Sequence, residues 1–426
     1  MNILIVTNQL PWPCSAGGRA SQFATLKALQ NDHSFRIILS SYVGFLDHDA
    51  NSLENSIHQL SVIRPLNKVL NESIKCSALS IVKRILKSFI RLLYKQSKKS
   101  VESAPGRAYY PFAPLSTDTI QLIIENLQWA DIIQAEFHEA LFLGTLPLVN
   151  IPKLFVCHQS HSLYTNSFYN SNSYKIDISR DVTEIMSAGD TLAAHQIESI
   201  LMSNYERVIV FSQEDKDSIP ETDSCKVIVS PFPLPADIKW VHPSNVEIWQ
   251  NILVFIGPGN WHPNVDALEW YIDELRPRLI KKTGELKATL HVYGKWSQTQ
   301  VEQYNSSGVI FHGYVDDLSH AIKGKVSINP VFAGAGLRTK LLASAAASSS
   351  IISTEIGAKG TGFRHRKHCV MADNPGEFVD SVICLFTDKQ LRIYMANEAY
   401  EHVQHSFSPE AVRDKRNSIY NSMINK

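Results

Sequence analysis

Residues 326–342, Val326-Ser-Ile-Asn-Pro-Val-Phe-Ala-Gly-Ala-Gly-Leu-Arg-Thr-Lys-Leu-Leu, read as a strand, a loop bracketed by Gly334 and Gly336, and the start of a helix. Arg338 and Lys340 fall in the first helical turn. Glycines let backbone amides approach a ligand closely, and a helix N-terminus offers unpaired N–H groups and the positive end of a dipole. Cations at that end oppose the dipole. A solvated helix start therefore accounts for them less well than a site for a diphosphate, the leaving group of a nucleotide-sugar. Ala335 and Leu337 complete the loop. The helix continues as Leu342-Ala343-Ser344, with no carboxylate where a ribose diol would need an acceptor.

Two further strand ends carry glycines. The first strand runs into Thr7-Asn-Gln-Leu-Pro-Trp-Pro-Cys-Ser-Ala-Gly-Gly-Arg, and Gly17-Gly18 before Arg19 serves equally as an anion cradle or as a tight loop. In the second half, Phe255-Ile-Gly-Pro-Gly-Asn-Trp-His-Pro-Asn264 repeats the order of strand, glycines and helix, with Gly257, Gly259 and Asn260 at the turn. In open α/β sheets ligands lie outside the carboxyl ends of strands, so these loops are expected to converge on one crevice. Glu136 and His138, after another strand, line that crevice or are ordinary loop polar residues; His158 and His161 after the next strand are equally open.

Other chemistries lack their signatures. The sixteen histidines include no HExxH, and neither GxSxG nor a P-loop occurs. The DxD at Asp47-His-Asp49 reads as a solvated turn. Forty-one basic residues balance forty-one acidic ones, which gives no charge argument for nucleic acid. The six scattered cysteines form no CxxC and fit a reducing cytosol; Cys157 and Cys384 lie in apolar runs, where buried thiols are common. No segment reaches the roughly 18 apolar residues of a membrane span.

These loops need rigid elements behind them. A chain of 426 residues exceeds one usual hydrophobic core, so two domains are expected. Near-continuous apolar runs at Ile3–Thr7, Phe35–Ser40, Ile132–Ala135, Lys153–Cys157, Val208–Phe211 and Lys226–Val229 predict strands buried on both faces of a parallel sheet. Helices are expected near Gly18–Asn31 and over Asp181–Arg207. Pro231-Phe-Pro-Leu-Pro235 and the polar residues to about 248 read as a linker. The alternation restarts at Ile252–Ile256, followed by a helix capped by Asn264. Strands follow near Ala288–Tyr293, Val309–Phe311, Val326–Ile328, Ile351–Ser353 and Cys369–Met371. Two βα arrays predict two doubly wound α/β domains facing a cleft.

One stretch points elsewhere. Ser73 to Val101 carries Lys75, Lys83, Arg84, Lys87, Arg91, Lys95, Lys98 and Lys99 with no acidic residue, and Val82, Ile85, Leu86, Phe89, Ile90 and Leu93 recur at helical spacing. The pattern suits a core helix with a cationic face, or a helix lying on an anionic membrane surface; the lack of carboxylates favours the membrane.

Taken together, Val254-Phe-Ile-Gly257, Trp261-His-Pro-Asn264, Val292-Tyr-Gly294, His312-Gly-Tyr-Val-Asp-Asp-Leu318, Gly334 to Lys340, Thr354 with Gly357 and Gly360, and the opening Asn8 to Arg19 resemble the retaining GT-B glycosyltransferases of family 4. The resemblance covers most of the chain and is densest over 251–380. It implies a GT-B fold of two Rossmann-like domains. Residues 1–240 would take the acceptor and 241–405 the nucleotide-sugar, with 406–426 as a helix returning to the first domain. It further implies that Arg338 and Lys340 hold the diphosphate and that His158 lies beside the transferred sugar. Gly17 and Gly18 would close over phosphates or acceptor, and Gly294 and Val315 would belong to the donor side. Arg19, Glu136, His138 and His161 would face the acceptor. Such enzymes need no metal or cofactor beyond the nucleotide-sugar substrate, and act on glycan or lipid-linked acceptors at the inner face of the cytoplasmic membrane in bacterial surface polysaccharide synthesis. Against the family pattern, Ala343 replaces a ribose-binding Glu, Ala333 another Glu, and Ser348 and Ser350 a glycine and a proline. A silent GT-B subunit and a sugar-nucleotide epimerase are the rival readings.

Overall fold

The computed structural model describes residues 1–13, 17–40, 45–64, 115–148, 150–158, 192–193, 195–219, 226–235, 238–284, 288–305, 307–333 and 336–424. The basic stretch 73–101 lies outside them, as do His161, Gly334, Ala335 and residues 181–191 and 194.

Strands β1 (Asn2–Thr7), β2 (Ser34–Leu39), β3 (Leu60–Val62), β4 (Ile132–Glu136), β5 (Lys153–Val156), β6 (Arg207–Val210) and β7 (Val227–Val229) form one parallel sheet in the order β3-β2-β1-β4-β5-β6-β7. A second parallel sheet runs β10-β9-β8-β11-β12-β13, from β8 (Leu253–Ile256), β9 (Leu290–Tyr293), β10 (Val309–Gly313), β11 (Val326–Asn329), β12 (Ser350–Ser353) and β13 (Val370–Met371). Each sheet reverses its winding once, between β1 and β4 and between β8 and β11. Those are the switch points where doubly wound sheets open a crevice.

The apolar runs have their expected cause. In β4 and β5, Ile132, Leu154 and Val156 enter the core on one face of the first sheet, while Ile133, Ala135, Phe155 and Cys157 enter the core on the other. The C-terminal helix Pro409–Ile424 belongs to the first of these cores. Its Ile419, Tyr420 and Met423 are buried there, and the helix packs against Gly17–Leu29.

Some local expectations are corrected. Asp47 and Asp49 open a helix, Asp47–Ser56, where acidic side chains suit the dipole, and Arg64 approaches Asp47 at 3.7 Å. Asn264 lies inside the helix His262–Trp270 instead of capping it, because Pro263 already suits the first turn. Cys157 is buried, but Cys384 is exposed. The proline-rich connection is no free linker: Phe232 is buried in the first domain's core and Leu234 in a core of the second. Strand β3 was not foreseen. Among the described residues, no helix is long and apolar enough to cross a membrane.

Candidate active site

At the first switch point β1 and β4 lie side by side, with Thr7 opposite Glu136. Phe137 follows at φ 66°, ψ 161°. This is a region that side-chain-bearing residues occupy only when their surroundings enforce it, and such outliers gather at functional sites. The enforcement here is a stack: the Phe137 ring lies 3.8 Å from the His158 ring at 15°. Phe211 meets the same imidazole edge-on at 5.0 Å. His158 Nε2 is 2.5 Å from Glu136 Oε2, and both side chains are less than a tenth exposed.

Gly18 has a steric reason to be glycine. A Cβ there would come within 2.8 Å of the Phe137 ring, and His158 Nδ1 lies 3.9 Å from the same point. Arg19 Nε donates to Gln9 Oε1 at 2.9 Å. Gly17 begins the helix beside them. His138 is placed differently: it is buried, with Nε2 2.7 Å from Glu198 Oε1 and its ring edge-on to Phe155. Glu136 and His138 are thus each buried on an internal partner, His158 and Glu198.

In the second domain the glycines serve packing. A Cβ on Gly257 would lie 2.6 Å from Asn264, one on Gly259 equally close to Gln300 and Trp296, and one on Gly294 2.5 Å from the Gly257 carbonyl. The amides of Gly257, Gly259 and Gly294 already donate to Tyr293, Lys295 and Gly313 carbonyls. Asn260 is exposed, and Val315 is half-buried against Val254, Tyr293, Ile322 and Ala347.

The cations begin the helix Thr339–Ala346, with Arg338 at its N-cap position. Arg338 is 5% exposed, and burial pushes its guanidinium down to about 10, with the Asp215 charge of the first domain acting the other way. Lys340 Nζ donates to Asn264 Oδ1 at 2.6 Å and faces the Phe255 and Trp261 rings at 4.8 and 5.3 Å. Burial, then the neighbouring Arg338, pushes this ammonium down to about 7. No anion pairs with Lys340 among the described residues, and two basic side chains gathered in this way suit a ligand's negative charge.

The two halves meet here. Gly336, at φ 81°, places its Cβ position 3.9 Å from the His158 carbonyl. Leu337 packs against cores of both domains. Gly360 N–H donates to Glu214 Oε1 across the cleft at 3.3 Å. A cavity of about 560 Å³ opens near the return crossing, lined by Glu214, Gly360, His402 and Lys415 among others. The sequence reading missed Phe137, Asn264 and Asp215; only Asn264, in Trp261-His-Pro-Asn264, had a visible signal.

Residues 250–388 match the family model described as Glycosyl transferases group 1. An uncharacterized 44.6 kDa protein in the cps region of Klebsiella pneumoniae is 20% identical over 424 residues, 96% of this chain and 97% of that one. Anabaena HepE, solved in complex with UDP, superposes with a TM-score of 0.59 at 11% identity, covering 99% of this chain and all of that one (100%). TarM of S. aureus gives 0.64 at 11% identity over 99% and 98% of the two chains. The pneumococcal O-GlcNAc transferase GtfA, in complex with UDP and GlcNAc, gives 0.60 at 9% identity over 100% and 99%. The protein has the two-domain GT-B fold, and its second domain is a glycosyltransferase domain.

Proposed function

We propose that this protein is a retaining, metal-independent glycosyltransferase that moves a sugar from a nucleotide-sugar to a glycan or glycolipid in bacterial surface polysaccharide synthesis. The observation that carries the reading is that the loop leading into Arg338 and Lys340, at a helix start on one switch point, reaches the backbone of His158 at the other, with the Gly336 Cβ position 3.9 Å from the His158 carbonyl. The relative encoded in a cps region supports the polysaccharide setting, and UDP in the HepE and GtfA complexes supports a nucleotide-sugar donor.

In the proposed reaction the bond from the anomeric carbon to the diphosphate breaks as the acceptor oxygen bonds to the same face. The acceptor's proton passes to the departing phosphate. The leaving diphosphate gathers negative charge, which holds the neighbouring Lys340 amine in its ammonium form, and Arg338 and Lys340 together stabilise that charge. With the charge stabilised this way, the reading calls for neither a protein nucleophile nor a metal.

The donor's ribose is the weak point. Ala343 is buried in the helix of Lys340, and Ala333 is also buried. Without a carboxylate, each ribose hydroxyl forgoes a charge-assisted bond of about 1.5–3 kcal/mol. A common uridine or guanosine donor should bind weakly, or another donor should be preferred.

A panel of sugar nucleotides tested by thermal shift, followed by NMR of any product, tests the reading. The expected result is a stabilising donor, a transferred sugar whose anomeric configuration is retained, and a loss of about 10²-fold in turnover for Lys340→Ala. Binding without transfer would favour the silent subunit, epimerised donor would favour the epimerase, and full activity in the Arg338→Ala, Lys340→Ala double variant would sink the assignment.

A further inference from the structure

Behind His158 runs a buried chain of polar groups that ends on the C-terminal helix. Residues 132, 134 and 136 of β4 share one face of the first sheet, as do 154, 156 and 158 in and after β5. That face is covered by the helices Gly17–Leu29 and Pro409–Ile424. Tyr420 Oη donates to Gln134 Oε1 at 2.9 Å, Gln134 Nε2 donates to Glu136 Oε1 at 2.6 Å, and Glu136 Oε2 meets His158 Nε2 at 2.5 Å. Tyr420 is 1% exposed, Gln134 3% and Glu136 4%. Apolar residues of similar size would fill this space more cheaply, since a buried polar chain is stabilising only when every member is satisfied.

The direction of each hydrogen is set from the far end. Burial pushes the Tyr420 hydroxyl up to about 12, so it keeps its proton and donates. Gln134 must then turn its carbonyl to Tyr420 and its amide to Glu136. Arg416, one turn before Tyr420, is 1% exposed and donates Nη2 to the Ser230 carbonyl at 3.2 Å; Nε and Nη1 have no hydrogen-bond partner among the described residues. Burial pushes its guanidinium down, with Tyr420 and Glu136 acting the other way. A carboxylate beside that cation accepts at both oxygens, from Gln134 and from the ring N–H of His158. Nδ1 is then the nitrogen left with a lone pair. Ser21 Oγ lies 3.5 Å from it, but the Ser21 hydroxyl already donates to the Gly18 carbonyl at 2.8 Å.

We propose that Tyr420 and Arg416 of the C-terminal helix, through Gln134 and Glu136, are positioning residues that hold His158 with its proton on Nε2, leaving Nδ1 as an acceptor for a substrate hydroxyl in the cleft. The role in turnover rests on the transferase reading; the state of the ring does not. A residue of the last helix thereby enters the chemistry of the first domain's cleft without touching substrate. The tautomer is the quantity that the chain of bonds controls.

The test uses the full chain labelled with ¹⁵N-histidine, the His158 ring signals being assigned by their loss in His158→Ala. The expected result is a ring protonated at Nε2 and not at Nδ1 in wild type, and a displaced ring signal in Tyr420→Phe and Glu136→Gln. With an active donor, Tyr420→Phe should lower kcat about 5- to 10-fold, the worth of one hydrogen bond, at unchanged donor KM. The same substitution should cost nothing further once His158 is Ala. A ring protonated at Nδ1, or a His158 signal indifferent to Tyr420→Phe, overturns the proposal. So does a kcat loss that persists in the His158→Ala background, which marks Tyr420 as a support of the fold alone. If no donor is turned over, the transferase reading falls while the ring signals still decide this one.

Discussion

Lys340 Nζ donates to Asn264 Oδ1 at 2.6 Å, and Asn264 Nδ2 donates onward to the Pro258 carbonyl at 2.8 Å. The contact ties the helix after β11 to the helix after β8, the two strands that flank the second domain's switch point. It also leaves the ammonium on a neutral partner. Asn264 supplies an oxygen dipole but no charge, and the Phe255 and Trp261 faces add a weak attraction of the cation–π kind.

A cation held this way makes stability depend on pH in a definable window. The Lys340 ammonium is pushed down to about 7 from its ordinary 10.5 by burial and by Arg338. Between those values the unfolded chain binds the proton and the folded one does not, so stability rises with pH across the window and is lost as pH falls through about 7. Lys340→Met removes this slope. Urea unfolding at pH 6.5, 8 and 9.5 should show the variant gaining most over wild type at the lowest pH and least at the highest. A constant difference across the three would show that Lys340 does not titrate there.

Phe137 stores backbone strain beside His158. Its φ of 66° with ψ of 161° belongs to glycine, at a cost on the order of 1–3 kcal/mol for other residues. Phe137→Ala and Phe137→Gly both remove the ring stacked on His158, but only glycine relaxes the backbone. The glycine variant should be the more stable of the two by about 1–2 kcal/mol in denaturant unfolding. Equal stabilities would mean that the backbone there is unstrained.

What could be read from the sequence was what repeats along it. Strands buried on both faces leave apolar runs, and Arg338 with Lys340 stood out because cations at a helix start oppose the dipole. What escaped was non-local. Glu136 and His158 are 22 residues apart and Gln134 and Tyr420 are 286 apart, so no spacing rule joins them. Phe137 escaped because strain belongs to the backbone. Asn264 looked like a helix cap, since asparagine before an apolar run usually is one, and Pro263 moved the start to His262. The connection 231–235 looked free because prolines dominate it, while Phe232 and Leu234 fasten it to a core of each domain.

The helix that carries Lys340 ends in a way that tests another departure from the family pattern. Ser348 N–H donates to the Ala345 carbonyl at 3.0 Å and Ser349 N–H to the Ser344 carbonyl at 2.9 Å, the paired bonds of a Schellman end. Ser348 takes the left-handed position of that motif at φ 56°, where glycine carries no Cβ penalty. Its hydroxyl offsets the strain by donating to the Val241 carbonyl, which fastens the helix end to the connection between the domains. Substitution separates the two contributions. Ser348→Ala loses the hydroxyl and keeps the strain, whereas Ser348→Gly loses both. The glycine variant should therefore exceed the alanine variant in stability by about 1 kcal/mol. Against wild type, Ser348→Gly should lie within about 1 kcal/mol, because the lost hydrogen bond and the relieved strain are of similar size. Urea unfolding of the two variants at one pH decides it: alanine as stable as glycine would show that the left-handed turn at Ser348 relaxes in solution.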